Sequence, residues 1–235
     1  MRVEASATIM MNGLAQAKAA RGERVYNLSA GEPMIAPHVA VVAGAEAAMR
    51  DGKTHYPPVA GIPELRRVAT EWMRTTYGAG FTPEQCVVTC GGKFGIYAVC
   101  QALIEPGDEV VMIAPYWVSY AGIVQLFGGK PVVVATDEQK GWKVELSALE
   151  KAFSKKTKLL FINNAGNPTG ALYSRDELAA ILALAKQHDV VVVSDEVYSG
   201  LTYEGEFVSA ASFLEYADRA VVIQSCSKHF AMTGW

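Results

Sequence analysis

An aspartate and a lysine each follow an apolar segment, and their surroundings could support acid–base or covalent chemistry. Asp195 comes after VVVVS, where a buried carboxylate is costly unless it meets a cation or several hydrogen-bond donors. Lys228 comes shortly after AVVIQS, with Ser225 and Ser227 beside it in the sequence. These opposite charges form either a structural ion pair or the two poles of a ligand site, and the pattern leaves both interpretations open.

Three further segments place polar or flat groups after apolar runs. Gly92 and Lys93 follow CVVT and begin a predicted helix, whose amides could bind a phosphate, or the glycines could simply make a turn. Trp117, after EVVMIA, is either core or a flat surface for a ligand ring. Asn167, in NAGNPTG, either satisfies its own turn or donates to a ligand oxygen. The glycine segment matches neither the P-loop nor the dinucleotide-binding pattern.

The pattern of apolar runs around these residues predicts an α/β fold. We expect a three-layer α-β-α sandwich with a mostly parallel, mixed sheet. From Gln85 onward, short β-branched runs alternate with longer amphipathic stretches. The runs are almost continuously apolar, so helices are expected on both faces of the sheet. The predicted strands are CVVT, EVVMIA, PVVVAT, KLLFIN, DVVVVSD and AVVIQS.

Helices are predicted over residues 40–50 and 63–77, and two capping boxes mark further helix starts. One box pairs Ser174 with Glu177, and the other pairs Ser147 with Glu150.

The carboxyl ends of parallel strands form the ligand-binding edge of such a sheet, so the five segments are expected to converge there. An anion site, a flat ring, an amide, a carboxylate and an amine together suit a planar phosphorylated ligand with a cationic nitrogen and a carbonyl group. Pyridoxal 5'-phosphate has these parts.

The overall composition excludes several other classes of protein. The 235 residues carry a net charge of -3, with 51% hydrophobic and 19% charged residues, which is typical of a globular protein and offers no basic surface to nucleic acid. No apolar segment is long enough to span a bilayer, so a cytoplasmic protein without membrane contact is predicted. The four cysteines form no paired motif and are expected to be buried free thiols, and no metal site is predicted.

Seven motifs in order show a resemblance to a known family: SAGEP, HYPPVAGIPELR, GGK, PYWVSY, NPTG, SDEVY and SCSKHFAMTGW. The chain resembles the class I aminotransferases, fold-type I pyridoxal-phosphate enzymes of the bacterial aspartate aminotransferase kind. The resemblance implies that residues 1–35 belong to a small domain and that residues 36–235 form the large cofactor-binding domain. In the family the pattern continues past Trp235 with two anion-binding arginines, a strand and most of the small domain, so the sequence is expected to be a truncated, incomplete copy.

The resemblance also assigns roles around the cofactor ring. Lys228 would form an aldimine with the cofactor aldehyde and later act as the base, and Asp195 would keep the pyridine nitrogen protonated. Tyr198 and Asn167 would hydrogen-bond the phenolic oxygen of the ring, and Trp117 would stack on its face. The bond between residues 167 and 168 is expected to be cis.

A second set of implied contacts surrounds the cofactor phosphate. It consists of Gly92, Lys93, Ser225 and Ser227. Tyr56 resembles a tyrosine that reaches the phosphate of a partner subunit, which implies a homodimer.

The resemblance implies two substrates, the amino acid aspartate and the 2-oxo acid 2-oxoglutarate. They would react in a ping-pong transamination. The substrate site would contain Gly31, Trp117, Asn167 and Lys93. Residues 6–8 and Lys93 resemble features that receive the distal carboxylate of aspartate, although Lys93 could equally be a solvated surface lysine.

Other hypotheses stay open at this point. The chain could be another fold-type I enzyme, such as a carbon–sulfur lyase, a decarboxylase or an aromatic or alanine aminotransferase. It could also be a ligand-sensing regulator or an inactive fragment. The sequence departs from the family pattern at Ala165 and Gly166, where a proline and a polar residue are usual, and at residues 34–36, where an acidic and aromatic sequence is common. His229 has no family role and is expected to pack.

Overall fold

A five-stranded parallel sheet forms the centre of the computed structural model, which describes residues 7–29 and 31–235. The strand order is β2-β1-β3-β4-β5, and each of the four pairings is parallel. The predicted α/β fold with a mostly parallel sheet is therefore confirmed. The strands are β1 (Glu109–Ala114), β2 (Lys130–Ala135), β3 (Thr157–Asn163), β4 (Val191–Asp195) and β5 (Ala220–Ile223).

Helices precede, connect and follow these strands, and the two predicted over 40–50 and 63–77 are confirmed to within one residue. The helices are α1 (Ala7–Ala20), α2 (Val39–Arg50), α3 (Pro63–Tyr77), α4 (Gly92–Leu103), α5 (Ser119–Leu126), α6 (Leu146–Ala152), α7 (Arg175–Gln187) and α8 (Cys226–His229). Short 3₁₀ turns include Ser199–Leu201 and Ala210–Ser212.

One predicted capping box is confirmed and the other is wrong. At the start of α7, the amide of Glu177 donates to Ser174 Oγ at 3.3 Å, and the amide of Ser174 donates to Glu177 Oε2 at 2.7 Å. Ser147 lies inside α6 instead, because that helix begins at Leu146 with Glu145 as its N-cap residue. The two candidate caps were only two residues apart, which sequence alone does not resolve.

Alternate residues along the strands pack on opposite helical layers. Val111, Leu160 and Val192 join a core cluster that includes side chains of α6 and α7. Val110, Leu159 and Val193 join a second cluster that includes side chains of α4 and α5. The two clusters make the three layers, and they explain why the strand sequences contain so few polar residues.

The predicted strand CVVT does not join the sheet, so this prediction is wrong. The amide of Val88 donates to the carbonyl of Ala60 at 3.0 Å, and Val87 is 64% exposed. A β-branched run becomes a strand only beside a neighbouring backbone, and within the described residues none pairs with it. Among the strands that the structure describes, β5 therefore lies at one edge of the sheet.

The carboxyl ends of β3, β4 and β5 lie at one level of the sheet. Asn163 is in register with Asp195, and Asp195 is in register with Ile223. This edge carries the loops that contain the predicted site residues. All four cysteines are free thiols, as predicted, but only Cys100 is buried, and Cys90 and Cys226 are exposed. Within residues 7–29 and 31–235, helices of the length and apolarity needed to cross a bilayer are absent.

Candidate functional site

Asp195 is a buried carboxylate at the end of β4, only 4% exposed. Its Oδ2 accepts a hydrogen bond from the Tyr120 hydroxyl at 2.5 Å, and its Oδ1 accepts one from the Val197 amide at 3.4 Å. Burial raises the pKa of Asp195, and the two donors act in the opposite direction. In the described part of the chain no lysine, arginine or histidine forms a salt bridge with it. Such a carboxylate is suited to a cationic group of a ligand.

Tyr120 is a functional contact that the sequence analysis missed. The residue is 1% exposed, and its ring stacks on Phe161 with centroids 5.0 Å apart. The ring centroid of Trp117 lies 5.5 Å from that of Tyr120, at an interplanar angle of 84°. Burial raises the pKa of Tyr120 well above its usual range, and the charge of Asp195 adds to this effect. The hydroxyl therefore stays protonated and donates a hydrogen bond to Asp195. No local signal pointed to Tyr120, because it meets Asp195 only through the fold.

Asn167 and Tyr198 meet in front of Asp195. The Asn167 side-chain amide donates to the Tyr198 hydroxyl at 3.3 Å, and the Asn167 backbone amide donates to Asn163 Oδ1 at 2.6 Å. Burial raises the pKa of Tyr198, and the charge of Asp195 adds to this effect. The predicted cis bond is confirmed in this turn. Cis bonds occur at Ala114–Pro115, Asn164–Ala165 and Asn167–Pro168.

The end of β3 holds the turn of Asn167 in place through two asparagines, which the sequence analysis also missed. The carbonyl of Asp195 accepts from the Asn163 side chain at 2.9 Å and from the Asn164 backbone at 3.0 Å. The Asn164 side chain donates to the carbonyl of Val208 at 2.9 Å and accepts from the amide of Tyr173 at 3.0 Å. These bonds satisfy a polar turn at the edge of the core, as buried polar groups require.

Lys228 lies on α8, directly beyond the edge of the sheet. Its amine donates a hydrogen bond to the carbonyl of Gly31, so the predicted substrate-side glycine lies against the predicted base. A second bond, from Thr233 Oγ1 to Glu32 Oε2 at 3.0 Å, holds the same N-terminal segment. The structure therefore brings together two motifs that are far apart in the sequence.

The first turn of α4 is pressed against the end of β5. A Cβ atom on Gly92 would lie 3.3 Å from side-chain atoms of Ile223 and Val197 and 3.8 Å from Cβ of Ser225. The preceding Gly91 has φ 80°, a conformation that glycine adopts readily. The first amides of a helix have no intrahelical acceptor, and their dipole favours an anion. Ser225 and these amides thus lie at one corner of the site.

Two of the predicted phosphate contacts have other partners within the chain. The Ser227 amide donates to Ser225 Oγ at 3.1 Å, which caps α8. The Lys93 amine lies 4.8 Å from the ring centroid of Trp117, within cation–π distance. Lys93 and Trp117 are therefore brought together, and the Trp117 ring also packs against Tyr120.

Two predictions remain outside this cluster. Tyr56 is fully exposed, at 104%, in the loop before α3, and the structure does not bring it to the other residues. The predicted aspartate-binding stretch 6–8 falls partly outside the described residues, because Ser6 precedes them.

The sequence matches the family model of aminotransferase class I and II over residues 23–235. The chain belongs to this family. The aspartate/prephenate aminotransferase of Thermus thermophilus is 40% identical over 230 residues, which are 98% of this chain and 59% of that protein. The aspartate aminotransferase of Bacillus subtilis is 36% identical over 232 residues, again 98% of this chain and 59% of the relative.

A solved class I and II aminotransferase has nearly the same backbone. The structure of Thermus thermophilus aspartate aminotransferase with maleate has a TM-score of 0.96 and 39% identity, covering 99% of this chain and 60% of that chain. The chain thus spans about three fifths of the length of the relatives that it matches.

Class I and II aminotransferases depend on pyridoxal phosphate, and the residues described above fit this cofactor. The buried Asp195 suits a protonated pyridine nitrogen, and the Asn167–Tyr198 pair suits a phenolic oxygen. The close approach of Gly92 to the end of β5 leaves backbone amides at the helix start for a phosphate. Lys228 supplies the amine that an aldehyde requires.

Glu196, next to Asp195, is a buried acid that the sequence analysis did not single out. The side chain is 0% exposed and accepts bonds from Ser194 Oγ at 2.9 Å, Ser209 Oγ at 2.6 Å and the Ala210 amide at 2.8 Å. Burial raises its pKa to about 7. Glu196 therefore ties the end of β4, and with it Asp195, to the turn Ala210–Ser212.

Glu196→Gln is expected to remove a pH dependence of stability. The pKa of Glu196 rises from its ordinary value of 4.5 to about 7 on folding, so the folded chain holds the proton more tightly. Wild-type stability should then fall between pH 4.5 and 7 by roughly 3 kcal/mol relative to the variant, whose glutamine is neutral throughout. Urea unfolding at pH 5, 6, 7 and 8 measures the difference. Glu150→Gln is the exposed control, and parallel pH curves for wild type and Glu196→Gln would contradict the prediction.

Proposed function

We propose that the protein catalyses pyridoxal-phosphate-dependent transamination between aspartate and 2-oxoglutarate by a ping-pong mechanism. The observation that carries the proposal is the convergence of Asp195, the Asn167–Tyr198 pair and Lys228 on one edge of the sheet. Because the chain spans about three fifths of its relatives, this activity is proposed for the protein to which the sequence belongs.

Lys228 is proposed as both the covalent attachment point and the base. When bound, pyridoxal phosphate supplies an aldehyde that captures amines and a ring that accepts electrons. Lys228 would hold the cofactor through that aldehyde. Once free, its amine would serve as the base that takes the α-proton of the substrate. The carbonyl of Gly31, which accepts from this amine, orients it toward the substrate side.

Asp195 is proposed to keep the pyridine nitrogen protonated. A buried negative charge favours a bound proton on a neighbouring base, and the site offers little water to screen the charge. The donors Tyr120 and Val197 hold the carboxylate in its charged form and fix its orientation. Asn167 and Tyr198 would orient the phenolic oxygen, and this contact restricts rotation of the ring in its plane.

The remaining contacts concern the ring face, the phosphate and the substrate. Trp117 is proposed to stack on the ring, and Ser225, Ser227 and the amides of residues 92 and 93 to bind the phosphate. The Lys93 amine, which lies over Trp117, is proposed to receive the distal carboxylate of aspartate. The names of the relatives, aspartate and aspartate/prephenate aminotransferases, support this substrate.

The assembly is proposed on the same basis. Residues 1–35 would belong to a small domain, and residues 36–235 would form the large domain. Two copies would form a homodimer in the cytoplasm, with Tyr56 at the phosphate of the partner subunit. The complete exposure of Tyr56 supports a contact outside its own chain.

A coupled assay tests the function directly. Purified protein with pyridoxal phosphate is given aspartate and 2-oxoglutarate, and oxaloacetate and glutamate are measured. Parallel double-reciprocal lines are expected for a ping-pong cycle. Release of ammonia without glutamate would instead support a lyase. Release of carbon dioxide without glutamate would support a decarboxylase. Either result would reject the proposal.

Tyr120→Phe is expected to lower kcat by about tenfold. The variant removes one hydrogen bond to a charged group, and such a bond contributes about 1.5 kcal/mol. In the wild-type protein the Tyr120 hydrogen bond lowers the pKa of Asp195, so the variant should have a higher pKa at this residue. The pH profile of kcat should shift to higher pH accordingly. Tyr116→Phe is the matched control, because its ring stacks on Tyr120 at 6.4 Å without bonding Asp195. An unchanged kcat and pH profile in Tyr120→Phe would show that the contact is only structural.

A further inference from the structure

His229 follows Lys228 directly and packs onto the turn that follows Tyr198. A Cβ atom on Gly200 would overlap the imidazole, and its three nearest atoms would all belong to His229. Gly200 is the central residue of the 3₁₀ turn Ser199–Leu201, which begins directly after Tyr198. The imidazole therefore occupies the space that a side chain at position 200 would fill.

The other contacts of the His229 ring are aromatic. Its centroid lies 5.1 Å from that of Trp72 at 83°, and 4.5 Å from that of Phe230 at 51°. Nδ1 is shielded from solvent and has no hydrogen-bond partner in the part of the chain that the structure describes. Burial lowers the pKa of His229, which favours the neutral form of the ring. The predicted packing role is confirmed, and the packing partner is Gly200.

A second contact joins the same two segments. The Gln224 side-chain amide, just after β5, donates to Ser199 Oγ at 3.2 Å. The chain that leads to Lys228 is thus attached to the turn after Tyr198 on two sides. Of the two attachments, only the imidazole lies next to Lys228 itself.

We propose that His229 is a positioning residue that sets the distance between the Lys228 amine and the Tyr198 hydroxyl. The inference rests on the proposed function, in which both groups contact one cofactor. The imidazole lies between α8 and Gly200, so the two backbones approach only as closely as the ring allows. A smaller side chain at position 229 lets α8 move toward the turn, and a methyl group at position 200 pushes it away. Either change moves Lys228 relative to Tyr198.

A double-mutant cycle with Gly200→Ala and His229→Ala tests the contact. Pyridoxal phosphate is mixed with protein from which it has been removed, and the rate at which the visible absorption band appears reports bonding to Lys228. Each single variant is expected to be about tenfold slower, because small displacements of reacting groups have effects of this order. The double variant should be faster than Gly200→Ala alone, since the clash is absent. Gly44→Ala is the control, because the Cβ position there is open.

Cofactor affinity, measured by Trp fluorescence, should change less than twofold in every variant, which separates positioning from a general loss of structure. If Gly200→Ala fails to fold, recovery of folding on adding His229→Ala supports the contact, and no recovery rejects it. Wild-type bonding rates in both single variants, or the same defect in Gly200→Ala and in the double variant, would overturn the proposal. These rates do not depend on transamination, so a protein that bonds the cofactor but does not use aspartate would reject only the proposed function.

Discussion

Lys228→Ala is expected to abolish transamination, with kcat lowered by about 10,000-fold or more, the size of the general-base contribution that is lost. The variant removes both the proposed covalent attachment point and the proposed base. Pyridoxal phosphate should still bind through its other contacts. Borohydride treatment should therefore fix the cofactor onto the wild-type protein and leave the variant unlabelled.

A surface lysine supplies the control for this experiment. Lys140 forms an exposed ion pair with Glu145 at 3.0 Å and is not one of the candidate site residues, so Lys140→Ala should retain wild-type activity. Substantial transamination by Lys228→Ala, or borohydride labelling of a different lysine, would reject the base assignment.

Asp195→Asn is expected to lower kcat by roughly 1,000-fold, about 4 kcal/mol, which is the usual effect of removing one partner of a buried ion pair. Asparagine has the shape of aspartate but a single acceptor oxygen, so it can accept from Tyr120 or from Val197, and the negative charge is lost. The pyridine nitrogen would then lose its proton, and the ring would accept electrons less well. Steady-state kinetics at several pH values measure the effect.

The opposite end of the same strand provides the matched control. Asp189, which precedes β4, is exposed and pairs with Arg219 at 2.6 Å. Its φ of 58° is one that asparagine also adopts readily, so Asp189→Asn should fold and retain its activity. Near-normal kcat in Asp195→Asn would show that the carboxylate has no role in the reaction.

The sequence was sufficient to predict most of the sheet because its strands are buried on both faces. Val192 and Val193 pack on opposite helical layers, so the run around them is apolar throughout and easy to recognise. The polar residue that ends such a run, Asp195, was recognisable for the same reason. Asn167 could be placed near it because strand ends share one edge.

The contacts that were missed depend on pairing between distant segments. Tyr120 and Asp195 are 75 residues apart, and nothing in either local sequence indicates that they meet. Glu196 looked like one more polar residue after a strand, whereas its donors Ser209 and Ala210 come from a later turn. The same limit explains the failed strand CVVT, because β propensity alone does not supply a neighbouring strand.

A crystal structure of the protein with pyridoxal phosphate tests the central claim most directly, namely that Lys228 and Asp195 contact one cofactor molecule from opposite sides. We expect a covalent bond from the Lys228 amine to the cofactor, and an Asp195 carboxylate oxygen about 2.8 Å from the pyridine nitrogen. A cofactor bonded to another residue, or a pyridine nitrogen beyond hydrogen-bond distance of Asp195, would contradict this claim.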